Sequence, residues 1–150
     1  FSFRVPAIPG SYYGVEAGLE ACADPFWRRT YPWGHEDAQM LARYQAMTAM
    51  RNAHPVLRTG ECVYLAPCAD VLGVIRKNES GRDAFGSQAE NACAVTLINR
   101  SAKEVVVYLT AEDVCGAKTL VTDDGQTLSA RGGAFSVKVK GLQGMTGFAE

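Results

Sequence analysis

The residues best suited to binding chemistry lie between Pro9 and Trp33, in the stretch PGSYYGVEAGLEACADPFWRRTYPW. This stretch brings acidic, basic and aromatic side chains together in a loop punctuated by glycine. The group comprises Glu16, Glu20, Asp24, Arg28, Arg29, Phe26, Trp27, Tyr31 and Trp33. Aromatic rings pack on the apolar face of a pyranose, while carboxylates and guanidinium groups hold its hydroxyls. The composition of this loop therefore suits the binding of a sugar.

Other chemistries find less support in the same residues. Glu16 and Glu20 stand four positions apart and could be considered an acid and base pair, but exposed or ion-paired glutamates are far more common. The chain has two histidines, His35 and His54, and the second precedes the proline of a helix stop, which argues against a Ser-His-Asp triad. No glycine-rich phosphate-binding motif occurs.

Several spaced motifs, in a fixed order, carry a family resemblance. They read PGxYYGxExG from Pro9, DPxxRR from Asp24, PW from Pro32, MRxxHPxLxxG from Met50 and LINRS from Leu97. Together they resemble the end of the catalytic barrel and the start of the C-terminal β domain in the alpha-amylase superfamily, glycoside hydrolase family thirteen. The likeness is greatest to its neopullulanase and cyclomaltodextrinase branch and spans nearly the whole chain.

The resemblance implies a division into two parts. Residues 1–55 would form the end of a (β/α)8 barrel, with its last strand, a substrate loop and its last helix, and residues 56–150 a C-terminal Greek-key β-sandwich. In this family the catalytic carboxylates lie on earlier barrel strands, and a retaining glycosidase needs two of them about 5 Å apart. The chain is therefore expected to be an inactive C-terminal part of an α-glucan-acting hydrolase, with no catalytic residue of its own.

The resemblance also implies roles for residues of the loop. Asp24 and Arg28 are expected to hydrogen-bond a glucosyl unit, or else to pair with each other and fix the loop. Trp27 and Trp33 are expected to stack on sugar, or else to fill space between loop and helix.

Two other functions stay open for the chain. It could be a non-catalytic carbohydrate-binding module, or a purely structural β-sandwich that buries surface against a catalytic barrel. In the last case, apolar surface left without its neighbour could drive self-association of the isolated chain.

Composition excludes several classes of partner. Fifteen basic residues against sixteen acidic ones give a formal charge of -1, so neither nucleic acid nor an anionic membrane is an expected partner. Five widely spaced cysteines without a CxxC pair indicate no structural zinc, and no other cofactor is implied. Reduced thiols that pack as small hydrophobes in a cytoplasmic protein are favoured over a disulfide framework.

The elements that position the loop differ in their periodicity. Val5, Ala7 and Ile8 suggest a short buried strand before the loop. Residues 36–53 lack glycine and proline and carry an apolar stripe at steps of three and four, which predicts a helix that ends at Pro55. The stripe comprises Met40, Leu41, Tyr44, Met47 and Met50.

Beyond Pro55, short β-branched runs separated by turn signals predict a mainly β, antiparallel fold. The predicted strands are Cys62–Leu65, Val71–Arg76, Ala92–Asn99, Val105–Leu109, Lys118–Val121, Gln126–Leu128, Phe135–Val139 and Met145–Phe148. Clear alternation in the run FSVKVK from Phe135 predicts one wet face for that strand. A polar stretch, residues 77–91, separates the second and third strands, and its lone large apolar residue, Phe85, is expected to lie under its own loop, or else to be displayed as a secondary sugar contact.

Overall fold

The structure, a computed structural model, describes residues 2–20 and 29–150. Two helices, α1 (Ala38–Ala53) and α2 (Val56–Thr59), precede the strands, and single turns of 3-10 helix occupy Val15–Ala17 and Glu112–Val114. The strands are β1 (Glu61–Cys68), β2 (Val71–Asn78), β3 (Ala92–Asn99), β4 (Val105–Thr110), β5 (Thr119–Thr122), β6 (Thr127–Ser129), β7 (Ala134–Val139) and β8 (Gly144–Ala149). Strands hold 38% of the chain and helices 18%, which confirms the mainly β prediction.

The strands form two antiparallel sheets. The larger has the order β1-β2-β3-β8-β5-β6, and the smaller pairs β4 with β7. The chain crosses to the small sheet after β3 and after β6 and returns each time, so strands distant in sequence become neighbours, as in a Greek-key sandwich. All eight predicted strands are present, with ends that differ by at most three residues.

The main core lies between the two sheets. It is built from aliphatic side chains of both inner faces together with Phe135, which is 1% exposed. On β7 the burial alternates as predicted, because Phe135, Val137 and Val139 are buried while Ser136 and Lys138 are exposed. This period of two places every second side chain in the core.

A second, smaller core lies on the outer face of the large sheet, under the helices. Val56 and Leu57 of α2 are buried with Ala94 of β3, and Met50 and Phe148 pack against this group. The ring of His54 stacks on that of Phe148, with centroids 3.6 Å apart. Burial at this contact lowers the pKa of His54 below its usual value, because the charged imidazolium is poorly solvated there.

Helix α1 ends where its sequence indicates and begins at Ala38, two residues after the predicted start. Asp37 is the N-cap, and its carboxylate accepts hydrogen bonds from the backbone N–H groups of Gln39 and Met40, both 2.9 Å long. Pro55 follows the last turn and starts α2. The predicted stripe faces inward, with side chains that are half-buried.

The motif that ends β3 acts as a structural connection. The side chain of Asn99, 1% exposed, donates hydrogen bonds to the carbonyl oxygens of Lys103 and Val139 and accepts from the backbone N–H and the hydroxyl of Ser101. Because these bonds join the turn after β3 to the end of β7, they tie the two sheets together where the chain first crosses between them.

One predicted element differs in the structure. Residues 2–20 contain turns and a 3-10 helix, and no strand. A strand needs hydrogen-bonded neighbours, and nothing in the described part of the chain pairs with this segment, in which Pro6 and Pro9 also lack an N–H donor. Ile8, expected in a buried strand, is 95% exposed. The predicted division at residue 55 stays a prediction.

The expected burial of Phe85 was wrong. The side chain is 79% exposed, although its loop is held by local hydrogen bonds. The carboxylate of Asp83 accepts from the backbone N–H groups of Phe85 and Ser87, at 3.0 and 2.9 Å. Polar side chains therefore satisfy the backbone of this loop, and no apolar pocket forms beneath it.

Candidate functional site

A partly exposed cluster of three aromatic rings lies before helix α1. The ring of Tyr31 lies between those of Tyr13 and Trp33, with centroid distances of 6.1 Å and 4.5 Å. Tyr13 is 54% exposed and Trp33 is 79% exposed, so each presents much of its ring to solvent. We call these three residues the aromatic platform.

Two glycines and the helix cap hold the platform in place. Gly14 and Gly18 flank the first 3-10 turn with φ of 77° and 71°, a left-handed conformation that other residues adopt at a cost. A side chain at Gly18 would also meet the Cβ atom of Asp37 at 2.8 Å. The backbone N–H of Asp37 donates to the carbonyl oxygen of Ala17, 2.9 Å away, so the Tyr13 loop is fixed to the start of α1.

The platform has an acidic flank. Partial burial among its neighbours, and then the negative charges of Glu16 and Glu36, raise the pKa of Tyr31 above its ordinary value. Tyr31 is therefore a neutral hydrogen-bond donor near neutral pH. Rings beside carboxylates offer both an apolar face and acceptors for hydroxyl groups.

The structure describes one of the four predicted site residues, and the predicted sugar-binding role of all four stays a prediction. Trp33 is exposed and rests on Tyr31, so it does not fill space between loop and helix. Asp24, Trp27 and Arg28 lie outside the described residues, and their predicted roles stay predictions. The sequence placed Tyr31 in the binding stretch but did not indicate that it would meet both Tyr13 and Trp33.

A buried arginine anchors the segment that leads into the platform. Arg51, in the last turn of α1, is 8% exposed and donates from Nη1 to the carbonyl oxygens of Phe3 and Leu57, both at 2.8 Å. Its Nη2 donates to the carbonyl oxygen of Ala7 at 2.7 Å. Burial, and then the charge of Arg58, lower the pKa of Arg51. One side chain thus fixes the N-terminal segment to both helices.

A buried ion pair anchors the same segment to the sandwich. Arg4 donates from Nη2 to Asp123 Oδ2 at 2.9 Å, with side chains 5% and 22% exposed. Burial lowers the pKa of Arg4, and the charge of Asp123 opposes that effect. The other carboxylate oxygen of Asp123 accepts from the backbone N–H of Thr146 at 3.1 Å, which places the pair at the β5–β8 junction.

We expect Asp123→Asn to lower the free energy of unfolding by about 2 kcal/mol, because it leaves the Arg4 guanidinium buried without its counter-ion. The amide keeps one oxygen for the Thr146 N–H, so the change removes the charge together with the oxygen that accepts from Arg4. Urea denaturation of both proteins measures the difference.

The matched control is Asp70→Asn. Asp70 pairs with Arg100 at 3.5 Å, but both side chains are at least half exposed, and its loss should change stability by less than about 0.5 kcal/mol. Equal effects of the two substitutions would contradict the assigned role of the buried pair.

Neither a candidate metal-binding cluster nor a membrane-spanning helix occurs among the described residues. Within residues 2–20 and 29–150, the His, Cys, Asp and Glu side chains do not gather in groups of three or more that could hold a metal ion. In the same ranges, no helix has the length and apolar character needed to cross a membrane.

Comparison with known proteins places the chain in a family. No family model matches it. It is 31% identical over 144 residues to the amylopullulanase of Thermoanaerobacterium saccharolyticum, a match that covers 93% of this chain and 11% of that protein. It is 37% identical over 67 residues to a cyclomaltodextrinase of a Bacillus species, a match that covers 43% of this chain and 12% of that protein.

A solved structure shows the same fold over the whole chain. The alpha-amylase of Geobacillus thermoleovorans, solved in complex with acarbose, superposes with a TM-score of 0.82 at 19% identity. The superposition covers 99% of this chain and 31% of that enzyme. The chain belongs to the alpha-amylase superfamily.

The matches in this superfamily fall in the C-terminal portion of each relative. This alpha-amylase superfamily chain spans about a tenth of the length of the curated relatives it matches. Its antiparallel β domain corresponds to the C-terminal β domain of the alpha-amylases. The resemblance inferred from the spaced motifs is therefore confirmed.

Proposed function

We propose that this chain is the C-terminal part of an α-glucan-acting glycoside hydrolase, to which it contributes a substrate-lining loop and a stabilising β domain. The aromatic platform is the observation that carries the proposal. Its three rings have centroids within 6.1 Å of their neighbours, and two of them, Tyr13 and Trp33, are exposed while Tyr31 between them is half-buried. Relatives named amylopullulanase and cyclomaltodextrinase support the substrate class.

In this proposal each loop residue has a distinct role. Trp33 and Tyr31 offer ring faces to the apolar face of a glucosyl unit, since stacking buries C–H groups without breaking hydroxyl hydration. Asp24 and Arg28 hydrogen-bond sugar hydroxyls, and Trp27 adds a second stacking face. The partners are an α-glucan oligosaccharide and the rest of the hydrolase, which would cover apolar groups such as Ile8. Left uncovered, such groups favour self-association.

The proposal assigns no complete catalytic site to this chain. A glycosidase on a barrel collects its carboxylates from the ends of several different strands. In residues 2–20 and 29–150 there is no barrel strand, and the strands all belong to the two antiparallel sheets. The catalytic carboxylates therefore belong to other parts of the hydrolase.

The proposal predicts weak maltooligosaccharide binding without hydrolysis by the 150-residue chain. Titration with maltoheptaose, followed by the indole N–H signals in a ¹H–¹⁵N NMR spectrum, should shift the Trp33 signal, which Trp33→Ala identifies by its disappearance. Trp33→Ala should weaken binding about tenfold, equivalent to about 1.4 kcal/mol of stacking.

Phe85→Ala is the matched control, because Phe85 is equally exposed on a different loop, the one between β2 and β3. It should leave the affinity unchanged. Binding that survives Trp33→Ala would contradict the role of the platform. Release of reducing sugar by the pure chain would contradict the absence of a catalytic site.

The same platform favours a second candidate, a non-catalytic carbohydrate-binding module. The two functions differ in what happens to the bound sugar. A hydrolase cleaves it, whereas a binding module only holds it. In a hydrolase, Trp33→Ala in the longer polypeptide should lower kcat/KM on maltoheptaose, since the loop lines the cleft. In a binding module, the same change should lower activity on insoluble starch and leave activity on maltoheptaose unchanged.

A further inference from the structure

Two thiols that do not belong to the aromatic platform lie close together, one at the start of β3 and the other in the turn after β4. Cys93 near the start of β3 is 4% exposed, and its side chain lies beside that of Cys115, which is exposed. Both residues line one open cavity of about 580 Å³. The thiol pair is therefore reachable from solvent through Cys115, while Cys93 lies behind it.

The surroundings of the pair are charged and the backbone there is unusual. The ammonium group of Lys77 interacts with both cysteines and forms an ion pair with Glu79 at 3.0 Å. Cys115 has φ of 55°, a left-handed conformation that a non-glycine residue adopts at a cost.

We propose that Cys93 and Cys115 form a reversible disulfide when the chain meets a low-molecular-weight disulfide of the glutathione type. The thiolate of Cys115 attacks one sulfur of the reagent, forms a mixed disulfide and releases one thiol. The sulfur of Cys93 then loses its proton, attacks the Cys115 sulfur and releases the second thiol. Two protein thiols are oxidised and one reagent disulfide is reduced to two thiols, so the exchange balances.

Burial decides the order of these steps. The pKa of Cys93 is raised, first by burial and then by its contact with Cys115. Cys93 is therefore a poor first nucleophile and serves as the resolving thiol. Cys115, being exposed, meets the reagent first.

The other described cysteines are not placed for such a bond. Cys62 and Cys68 lie near opposite ends of the same strand, β1. A strand rises about 3.3 Å per residue, so six residues separate these Cα atoms by roughly 20 Å, far beyond the span of about 6 Å that a disulfide bridges.

The bond would join the start of the third strand to the turn after the fourth. It closes the chain segment that makes the first crossing between the sheets. Constraining such a loop in the unfolded state should raise the Tm by roughly 5 to 10 °C.

The test exposes the reduced 150-residue chain to oxidised glutathione and digests it with trypsin without reduction. We expect a disulfide-linked pair of peptides, Asp83–Arg100 with Glu104–Lys118, the loss of two protein thiols, and a higher Tm that returns to its starting value on reduction. Cys115→Ser should abolish the linked pair and the rise in Tm. The matched control Cys68→Ser should retain both.

Two results would overturn the proposal. One is glutathione that stays on Cys115 with no linked peptides. The other is a linked pair that joins either peptide to one carrying a different cysteine. Because the test does not involve sugar, its outcome is independent of the proposed carbohydrate function.

Discussion

Phe135→Ala should lower the free energy of unfolding by about 4 kcal/mol relative to the unsubstituted chain. Phe135 lies on β7 opposite Leu109 of β4, and the two side chains are 1% and 2% exposed in the core between the sheets. Removing a buried ring loses its transfer free energy and leaves a cavity that the sheets close only in part, at a cost of about 3 to 5 kcal/mol. Urea denaturation followed by circular dichroism measures the loss.

Phe85→Ala makes the same chemical change at an exposed position and provides the control. It should shift the free energy of unfolding by less than about 0.5 kcal/mol. If the two alanine variants were equally stable, Phe135 would not lie between two packed sheets. The comparison therefore tests the sandwich itself.

Arg51→Ala should lower the free energy of unfolding by about 3 kcal/mol. Three carbonyl oxygens, those of Phe3, Ala7 and Leu57, accept close hydrogen bonds from this guanidinium. Bonds from a charged donor contribute about 1.5 to 3 kcal/mol each, partly regained when the freed carbonyls reach water. Among residues 2–20 and 29–150 no carboxylate pairs with Arg51, so the loss comes from the backbone contacts.

The change should also have a local signature. Amide hydrogen exchange in residues 3–7 should become faster, because Arg51 no longer fixes this segment to the helices. Arg51→Lys should recover only part of the stability, since an ammonium group lacks the planar, forked geometry with which the guanidinium reaches three carbonyl oxygens.

Arg43→Ala serves as the matched control for Arg51. Arg43 is exposed on the same helix, so its loss should leave both stability and exchange nearly unchanged. An Arg51→Ala protein with unchanged exchange in residues 3–7 would contradict the anchoring role.

The strands could be predicted because their signals are local. The alternation of Phe135, Val137 and Val139 with polar residues fixes which side of β7 is buried, whatever its neighbours are. The cap at Asp37 and the stop at Pro55 are equally local, since each acts within one turn of α1.

The candidate site was predicted only in part. Aromatic and charged residues between Pro9 and Trp33 indicated a binding loop, and Trp33 is exposed, while its predicted role in stacking on sugar stays a prediction. The meeting of Tyr13 with Tyr31 was not foreseen, because it depends on the hydrogen bond from Asp37 to Ala17, which joins two separate segments. Composition gives the residue types of a site but not their contacts.

The mainly β pattern, the long helix and the family resemblance can be read from the residues alone, since each depends on residue types at short spacings. The absence of a strand in residues 2–20, the binding of backbone carbonyls by Arg51 and the contact of Cys93 with Cys115 become visible only in the folded chain. A buried hydrogen bond or a thiol contact needs groups that folding brings together from distant positions. The spacing of such residues along the sequence does not indicate that they will come into contact.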